Sequence, residues 1–224
     1  LEIMKNSMLI IVMLLATTIH SQSKIRGNGT MKTITRTTSN YDGIKCAGSF
    51  DYVLVAGTEG TIKIEGEENL LKYIITEVKD GNLIVKTEDQ INLYCSSNKT
   101  IKITIPFNDI DNVSLAGSGD LWSEDIKLTI ESTSTKTSIA GSGNMTIEGK
   151  TNNLDVSLAG SGNFHGFNLQ ADDAVVSVAG SGDIDVLATE RLKANVSGSG
   201  DIRYRGQPKI EETKVAGSGR FKSF

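Results

Sequence analysis

The segment Leu158-Ala159-Gly160-Ser161-Gly162-Asn163 is one of six near-identical segments in the second half of this chain. The other five are Leu115–Asp120, Ile139–Asn144, Val178–Asp183, Val196–Asp201 and Val215–Arg220. Successive copies begin 24, 19, 20, 18 and 19 residues apart. Such a regular spacing predicts a repeat architecture in which each unit stacks on its neighbours.

The residues around each glycine pair alternate in type, which indicates strands. Apolar or small side chains occupy every second position, as at Val156, Leu158 and Phe164, and polar residues fill most of the positions between them. A period of two is typical of a half-buried strand, and recurring glycine disfavours helix. Each unit of about 20 residues therefore carries one strand into the Gly-Ser-Gly corner and another strand out of it.

The corner glycines are expected to be structural. Glycine is needed where φ is positive or where no Cβ fits against a stacked neighbour. The twelve residues are Gly117, Gly119, Gly141, Gly143, Gly160, Gly162, Gly180, Gly182, Gly198, Gly200, Gly217 and Gly219. Similar corners in every unit predict an all-β parallel β-helix or β-solenoid, because a β-propeller needs units of about 40 residues and a leucine-rich repeat needs its own consensus.

Composition excludes several classes of protein. The chain has 224 residues with 23 glycines, only 2 prolines and a net charge of −4. Collagen and disordered linkers combine glycine with abundant proline, so neither class fits. No basic stripe interleaved with aromatic residues suggests a nucleic-acid partner. The Gly-Ser-Gly units lack the further glycine and the lysine of nucleotide-binding loops, so no cofactor is predicted.

Residues 1–23 have the three parts of a secretory signal. Lys5 precedes the apolar run Met8–Ala16, and small or polar residues follow as far as Gln22. The apolar run is shorter than the roughly 20 residues of a membrane-spanning helix. We therefore expect an exported protein that is periplasmic, outer-membrane-associated or extracellular, without a membrane span in the mature chain. A retained membrane anchor is the alternative.

Residues 32–112 are expected to form an irregular or antiparallel β region that caps a solenoid over residues 113–224 and is continuous with it. Asp80-Gly81-Asn82 predicts a hairpin corner, and residues 67–73 predict one helical turn. The segment Cys46–Asp51 reads Cys-Ala-Gly-Ser-Phe-Asp. This pattern indicates a degenerate copy of the repeat, in which Phe50 stands where the second glycine would be.

Cys46 and Cys95 are the only two cysteines. In an oxidising compartment they can form a disulfide, which would close a loop of about 50 residues and stabilise the fold by about 4 kcal/mol. Two separate buried thiols are the alternative.

The residues that follow the second glycines form the one candidate metal site. They are Asp120, Asn144, Asn163, Asp183 and Asp201. Stacked oxygen ligands suit calcium. However, calcium-binding β-rolls have nine-residue Gly-Gly-x-Gly-x-Asp repeats, which this chain lacks. The favoured role is therefore turn formation, because Asp and Asn side chains bond nearby backbone groups.

No catalytic residue is predicted. His165, the single histidine after the leader, stands at a position that should face solvent, and the repeated serines lack a nucleophile-elbow context. A saccharide-cleaving site would need paired carboxylates, or a lyase-like cluster of basic and acidic residues. The candidate pairs are Asp183 with Asp185, and Glu190 with Arg191.

Four features carry a resemblance to a known family. They are the leader, the stretch Ala47–Val53, the stretch Ile64–Leu71 that continues through Glu77–Leu83, and the Gly-Ser-Gly-Asp ladder. With these features the chain resembles the exported bacterial family named putative auto-transporter adhesin, head GIN domain, over roughly residues 32–221. The resemblance implies a right-handed β-helix-like fold and an extracytoplasmic location, and it supplies no catalytic residues.

We therefore predict a non-enzymatic surface or envelope protein, adhesin-like, that recognises a surface protein or a glycan. Identical rungs would present rows of Ser, Thr, Asn and Asp, so that many weak contacts add up. One alternative is a carbohydrate-binding or polysaccharide-degrading β-helix protein, in which Trp122 stacks on a sugar ring rather than packing at a strand edge. The third is a structural envelope module. The sequence leaves the oligomeric state open.

Overall fold

The computed structural model describes residues 23–108, 110–123 and 130–224. All but the last residue of the predicted leader lies outside these described residues. The first-half strands are β1 (Ser23–Arg26), β2 (Met31–Thr37), β3 (Gly43–Gly48), β4 (Asp51–Ala56), β5 (Thr61–Glu67), β6 (Ile74–Lys79), β7 (Asn82–Thr87), β8 (Ile91–Tyr94) and β9 (Lys102–Phe107). The helix α1 (Glu68–Leu71) lies between β5 and β6.

The strands of the second half carry the repeats. They are β10 (Asn112–Gly117), β11 (Leu121–Ser123), β12 (Ile130–Gly141), β13 (Met145–Thr146), β14 (Gly149–Gly160), β15 (Phe164–Gly180), β16 (Ile184–Gly198), β17 (Ile202–Arg205), β18 (Lys209–Gly217) and β19 (Phe221–Ser223). Within the described chain, α1 is the only helix and everything else that is regular is strand.

The strands that enter the corners stack in parallel to form what we call the front sheet. It contains β3, β10 and the C-terminal parts of β12, β14, β15, β16 and β18. Their register places the first corner glycines on one line, namely Gly48, Gly117, Gly141, Gly160, Gly180, Gly198 and Gly217. This stacking confirms the predicted parallel β-solenoid.

The strands that leave the corners form a second parallel stack, which we call the side sheet. It contains β4, β11, β13, the N-terminal parts of β15 and β16, and then β17 and β19. The pairing of β15 with β16 breaks register twice, between Gly166 and Gln170 and between Ala171 and Asp173. Each long strand therefore bends from the side sheet through a short third side into the front sheet.

Inward-facing side chains from all sides fill one continuous core. Leu158 and Val178 of the front sheet are 2% exposed, and Phe164 and Ile184 of the side sheet are fully buried. Burial of one such side chain contributes roughly 1.5–3 kcal/mol. Because successive strand residues point to opposite faces, the alternation that fills the core also fixes which side chains line the outer surface.

The N-terminal region caps one end of the stack, as predicted. β7 pairs in parallel with β3, and β9 pairs in parallel with β4, so both sheets of the first coil have a further strand beneath them. β2 pairs antiparallel with β5, β5 with β9, and β6 with β7. The predicted boundary between cap and solenoid at residue 112 stays a prediction. Strands β3 and β4, which precede that boundary, form one coil of the stack.

Local predictions within the cap are confirmed. Asp80 and Gly81 have φ values of 50° and 72° between β6 and β7, as the central residues of a type I′ hairpin require. The helix α1 supplies the predicted helical turn, and it buries Leu70 and Leu71.

The segment that begins at Cys46 is confirmed as a seventh copy of the repeat. Cys46 pairs with Leu115, and Gly48 pairs with Gly117. A Cβ on Gly119 would lie 2.1 Å from the carbonyl oxygen of Phe50, so side chains at this corner position point towards the coil beneath. Phe50 is tolerated because no Gly-Ser-Gly corner lies below it.

Candidate functional site

Each Gly-Ser-Gly corner is built directly on the corner of the preceding coil. The carbonyl oxygen of Gly141 accepts the N–H groups of Ser161 at 2.9 Å and Gly162 at 3.1 Å. A Cβ on Gly160 would lie 2.2 Å from that same oxygen, and Gly160 has a φ of 129°. Glycine is therefore required by both the space and the backbone conformation. The serine between the glycines is exposed in the repeats.

The Asp or Asn that follows each corner joins adjacent coils. The backbone N–H and side-chain Nδ2 of Asn163 both donate to Oδ1 of Asn144, at 3.1 and 2.9 Å. The N–H of Asp183 donates to Oδ1 of Asn163 at 3.0 Å, and that of Asp201 donates to Oδ1 of Asp183 at 2.8 Å. These side chains bond to the next coil rather than to their own turn, because the corners stack in register.

The metal-site candidates are thus brought into one line but are already engaged. The side-chain oxygens of Asp120, Asn144, Asn163, Asp183 and Asp201 each accept a backbone N–H of the following coil. Among the described residues, no group of three or more His, Cys, Asp or Glu side chains lies close enough together to hold an ion. Metal binding by the ladder is the less favoured alternative and stays untested.

The outward side of the front sheet is a flat surface of small residues, which we call the serine face. Its first column, three residues before the corner glycine, contains Ser114, Ser138, Ser157 and Ser177. Its second column, one residue before that glycine, contains Ala47, Ala116, Ala140, Ala159 and Ala179. The exposed corner serines form its edge.

The serine face is uncharged in its centre and bounded by polar or charged residues. Ser138 Oγ donates to Ser114 Oγ at 2.9 Å, and the Oγ atoms of Ser157 and Ser177 lie 3.3 Å apart. Lys45 occupies the first column below Ser114. Because each hydroxyl retains donor or acceptor capacity after one bond, the columns can hydrogen-bond a partner at regular intervals.

His165 is on the surface, as expected, and it belongs to an ion cluster on the side sheet. Its Nδ1 lies 3.3 Å from Oδ2 of Asp185, which is itself 5% exposed. Arg203 donates to the same carboxylate through Nε at 2.6 Å and Nη2 at 3.0 Å. The bond to Asp185 raises the pKa of Arg203. His165, Asp185 and Arg203 occupy one column in register.

Sequence reasoning did not bring these three residues together. A signal for their proximity was present, because each stands three positions after the second glycine of its repeat, as do Trp122 and Lys222. Residues at one offset share one column when coils stack in register. Trp122, which pairs with Val53 on one side and Thr146 on the other, is half-buried.

The two candidate pairs for a saccharide-cleaving site have other partners. Asp183 belongs to the ladder, whereas Asp185 binds Arg203 on the side sheet. Glu190 and Arg191 line an open cleft of about 700 Å³ on the third side, together with Asp172 and Asp173. Within the described chain, Arg191 pairs with Asp173, and Asp172 accepts a hydrogen bond from Thr189 at 3.1 Å.

Cys46 and Cys95 are both free thiols in the structure, which corresponds to the alternative to a disulfide. Burial raises the pKa of the Cys46 thiol. Cys95 is half-buried, and its pKa is raised by burial and by the nearby carboxylates of Glu67 and Asp51. Formation of the disulfide stays a prediction.

Fold and surface together define a capped β-solenoid that presents a flat, small-residue face. Residues 40–208 match the family described as putative auto-transporter adhesin, head GIN domain. The chain belongs to this family, so the predicted resemblance is confirmed.

Solved structures show the same fold. The chain is 25% identical to a putative lipid binding protein from Parabacteroides distasonis, with a TM-score of 0.58, and the match covers 90% of this chain and 100% of that chain. It is 23% identical to a putative adhesin from Bacteroides fragilis, with a TM-score of 0.69 and coverage of 89% and 100%. No match was found among curated proteins. In the described part of the chain, no helix is long and apolar enough to cross a membrane.

Proposed function

We propose that this protein is a non-enzymatic, exported interaction module that attaches to surface partners through the serine face. The observation that carries the proposal is the in-register pair of Ser and Ala columns on the outward side of the front sheet. Its family and the putative adhesin from Bacteroides fragilis support an adhesin-like role. Export rests on the sequence of the leader.

The size of the serine face indicates how it would act. The serine and alanine columns extend over five stacked coils, which is four coil spacings or about 19 Å at 4.8 Å each, and a six-residue strand is about 20 Å long. The product, about 400 Å², is below the roughly 800 Å² per partner of a stable complex. A single contact would therefore be weak, and attachment would depend on many copies engaging one surface.

The test is binding of the full chain to an array of immobilised collagen, fibronectin, laminin, mucin and glycans. The double substitution Ala159→Gln and Ala179→Gln places two long side chains on the exposed alanine column and should abolish retention. Ala56→Gln is the matched control, because Ala56 is an exposed alanine at the end of β4. No retention, or retention that the double variant leaves unchanged, would reject the serine face as the binding surface.

A second candidate function is binding of a small apolar group beneath the first corner. A cavity of about 270 Å³ there is lined by Phe50, Ile91, Leu93, Cys95 and Ile101 on its apolar side, and by polar residues that include Ser49, Thr87 and Asn92. The relative from Parabacteroides distasonis is described as a putative lipid binding protein, which supports this candidate. A saturable fluorescence increase with cis-parinaric acid, lost on Ile91→Trp, is the expected result, and its absence would reject the cavity as a lipid site.

A further inference from the structure

We propose that the side sheet binds an acidic polysaccharide at its C-terminal end, through a cationic and aromatic surface that we call the arginine patch. The patch consists of His165, Phe167, Arg203, Arg205, Lys222 and Phe224. It lies on a different sheet from the serine face, so it does not depend on the function proposed above. Its ligand class is a polymer that carries carboxylate or sulfate groups.

Arg203 is held in a fixed plane at the centre of the patch. Asp185, with only 7% of its side chain exposed, accepts two parallel N–H bonds from Nε and Nη2 of Arg203. Two-point pairing of this kind fixes the guanidinium orientation. A guanidinium carries five N–H donors, so donors remain beyond the two that Asp185 accepts. The side chain of Arg203 is 28% exposed.

Arg205 is positioned by aromatic rings rather than by a carboxylate. Its guanidinium carbon lies 4.1 Å from the centroid of the Phe167 ring and 5.3 Å from that of Phe224. The two rings stack on each other with centroids 5.3 Å apart. Within the described chain no acidic group lies within ion-pair distance of Arg205, which is exposed. Its charge is therefore immobilised and available to an anion.

Arg205 carries the charge of the patch that is open to a ligand. Lys222 Nζ lies 3.4 Å from Oδ2 of Asp201, and Arg203 binds Asp185 with Asp183 and Asp201 nearby, so these two cations are balanced by carboxylates. Arg205 is the cation of the patch with no such partner among the described residues. Guanidinium groups recognise carboxylate and sulfate oxygens through short charge-assisted bonds, so an anionic ligand is favoured.

The arrangement of the cations favours a polymer. Arg203 and Lys222 are paired in register on adjacent coils, which are about 4.8 Å apart, a spacing close to the length of one sugar ring. Successive acidic sugars can therefore meet successive coils. A membrane surface would be met by protruding apolar rings, whereas Phe167 is half-buried and Phe224 is the one ring of the patch that protrudes, with 65% exposure.

The experiment measures binding of the full chain to immobilised heparin, polygalacturonate and neutral dextran at low and high salt. Binding to heparin, polygalacturonate or both, weakened by salt, is expected, with none to dextran. Arg205→Gln should weaken it about tenfold, because one charge-assisted contact is lost. Lys150→Gln removes the same charge from the exposed end of β14 and should leave binding unchanged.

Three results would overturn the proposal. The first is no binding to either acidic polymer, and the second is equal weakening by Arg205→Gln and Lys150→Gln. The third is Arg205-dependent binding to phosphatidylglycerol vesicles without binding to the polymers, which would assign the patch to a membrane surface. The Ala159→Gln and Ala179→Gln variant should bind heparin normally, so failure here is distinguishable from failure of the serine face.

Discussion

Gly160 shows why this repeat cannot accept another residue at its corner. The oxygen that a Cβ would strike, at 2.2 Å, belongs to the backbone of Gly141, and that atom accepts two hydrogen bonds. A backbone atom in such a bonded position cannot move aside as the end of a flexible side chain can. The same contact recurs at Gly117, Gly141, Gly180, Gly198 and Gly217, so the absence of a side chain at these positions lets adjacent coils approach this closely.

Gly160→Ala is expected to lower the free energy of unfolding by about 3 kcal/mol or more, because it combines a steric clash with an unfavourable positive φ. The neighbouring Ser161→Ala is the matched control. Ser161 is exposed, and its substitution should change stability by less than about 0.5 kcal/mol. Urea unfolding monitored by circular dichroism measures both, and similar midpoints for the two variants would contradict the corner geometry.

The two thiols are expected to react with a disulfide reagent at very different rates. Cys46 is buried with a raised pKa, so it should react only after unfolding. Cys95 is half-buried, and its raised pKa should make it slower than a free thiol but reactive in the folded protein. Cys95→Ser should remove the reactivity of the native state. Failure to titrate two thiols in the denatured, unreduced protein would instead demonstrate the disulfide.

At the scale of elements, β1 pairs in parallel with β8, and one buried carboxylate fastens this pair to the cap. Glu67 is fully buried, and its oxygens accept the N–H of Gly29, the N–H of Ser96 at 2.8 Å and the Oγ–H of Ser96 at 2.7 Å. A Cβ on Gly27 would lie 1.9 Å from Glu67 Oε2, so the chain passes directly over the carboxylate. These bonds, from Ser96 first, lower the pKa of Glu67 from its ordinary value of 4.5.

The lowered pKa predicts the direction of the pH dependence. A carboxylate with a lower pKa in the folded state stabilises the protein above the unfolded value, near 4.5, and loses this effect as pH falls through the folded value. Glu67→Gln should therefore have a lower Tm than the unsubstituted chain at pH 7, and the difference should shrink by pH 3.

Thermal unfolding followed between these two pH values provides the measurement. Glu68→Gln is the control, since Glu68 is exposed and pairs with Lys32 at the surface. A difference for Glu67→Gln that stays constant with pH would show that packing, rather than charge, accounts for its role.

Across the whole molecule, the two ends of the stack differ. β7 and β9 cover the first coil, whereas β18 and β19 have a pairing strand on one side only within the described chain. Val215 shows the consequence, because it occupies the same core column as Val196 but is 45% exposed compared with 3%. Stability in a solenoid is passed between neighbouring coils, so the coil with one neighbour should be the least stable.

We expect amide hydrogen exchange to be fastest, among the front-sheet strands, in residues 209–217. The strand edge and the exposed core column both favour local opening there. Exchange of residues 191–198, one coil below, is the internal reference, because the two segments share their register. Equal protection of both segments at neutral pH would contradict an open edge and would indicate that a second chain covers it.

Particular residues show how much of the structure could be predicted from the sequence. The period of two and the glycine steps were enough for the solenoid, the corners and the seventh copy at Cys46, because a strict repeat leaves few other ways to stack. Rows of Ser, Thr, Asn and Asp on one face were also predicted from this spacing, whereas the alanine column was not. Arg205 and Phe167 also share an offset, five residues after the second glycine of each repeat, but β15 and β16 lose register there, so the offset alone did not predict their contact.

The sequence by itself determined the fold class, the identity of the inward and outward columns, and the structural role of the corner glycines. These properties depend on local periodicity, which the chain carries residue by residue. Only the tertiary structure decided that the Asp and Asn ladder bonds coil to coil and that Asp185 lies between His165 and Arg203. Those outcomes depend on distances between residues that are remote along the chain. Such distances are fixed only when the coils stack on one another.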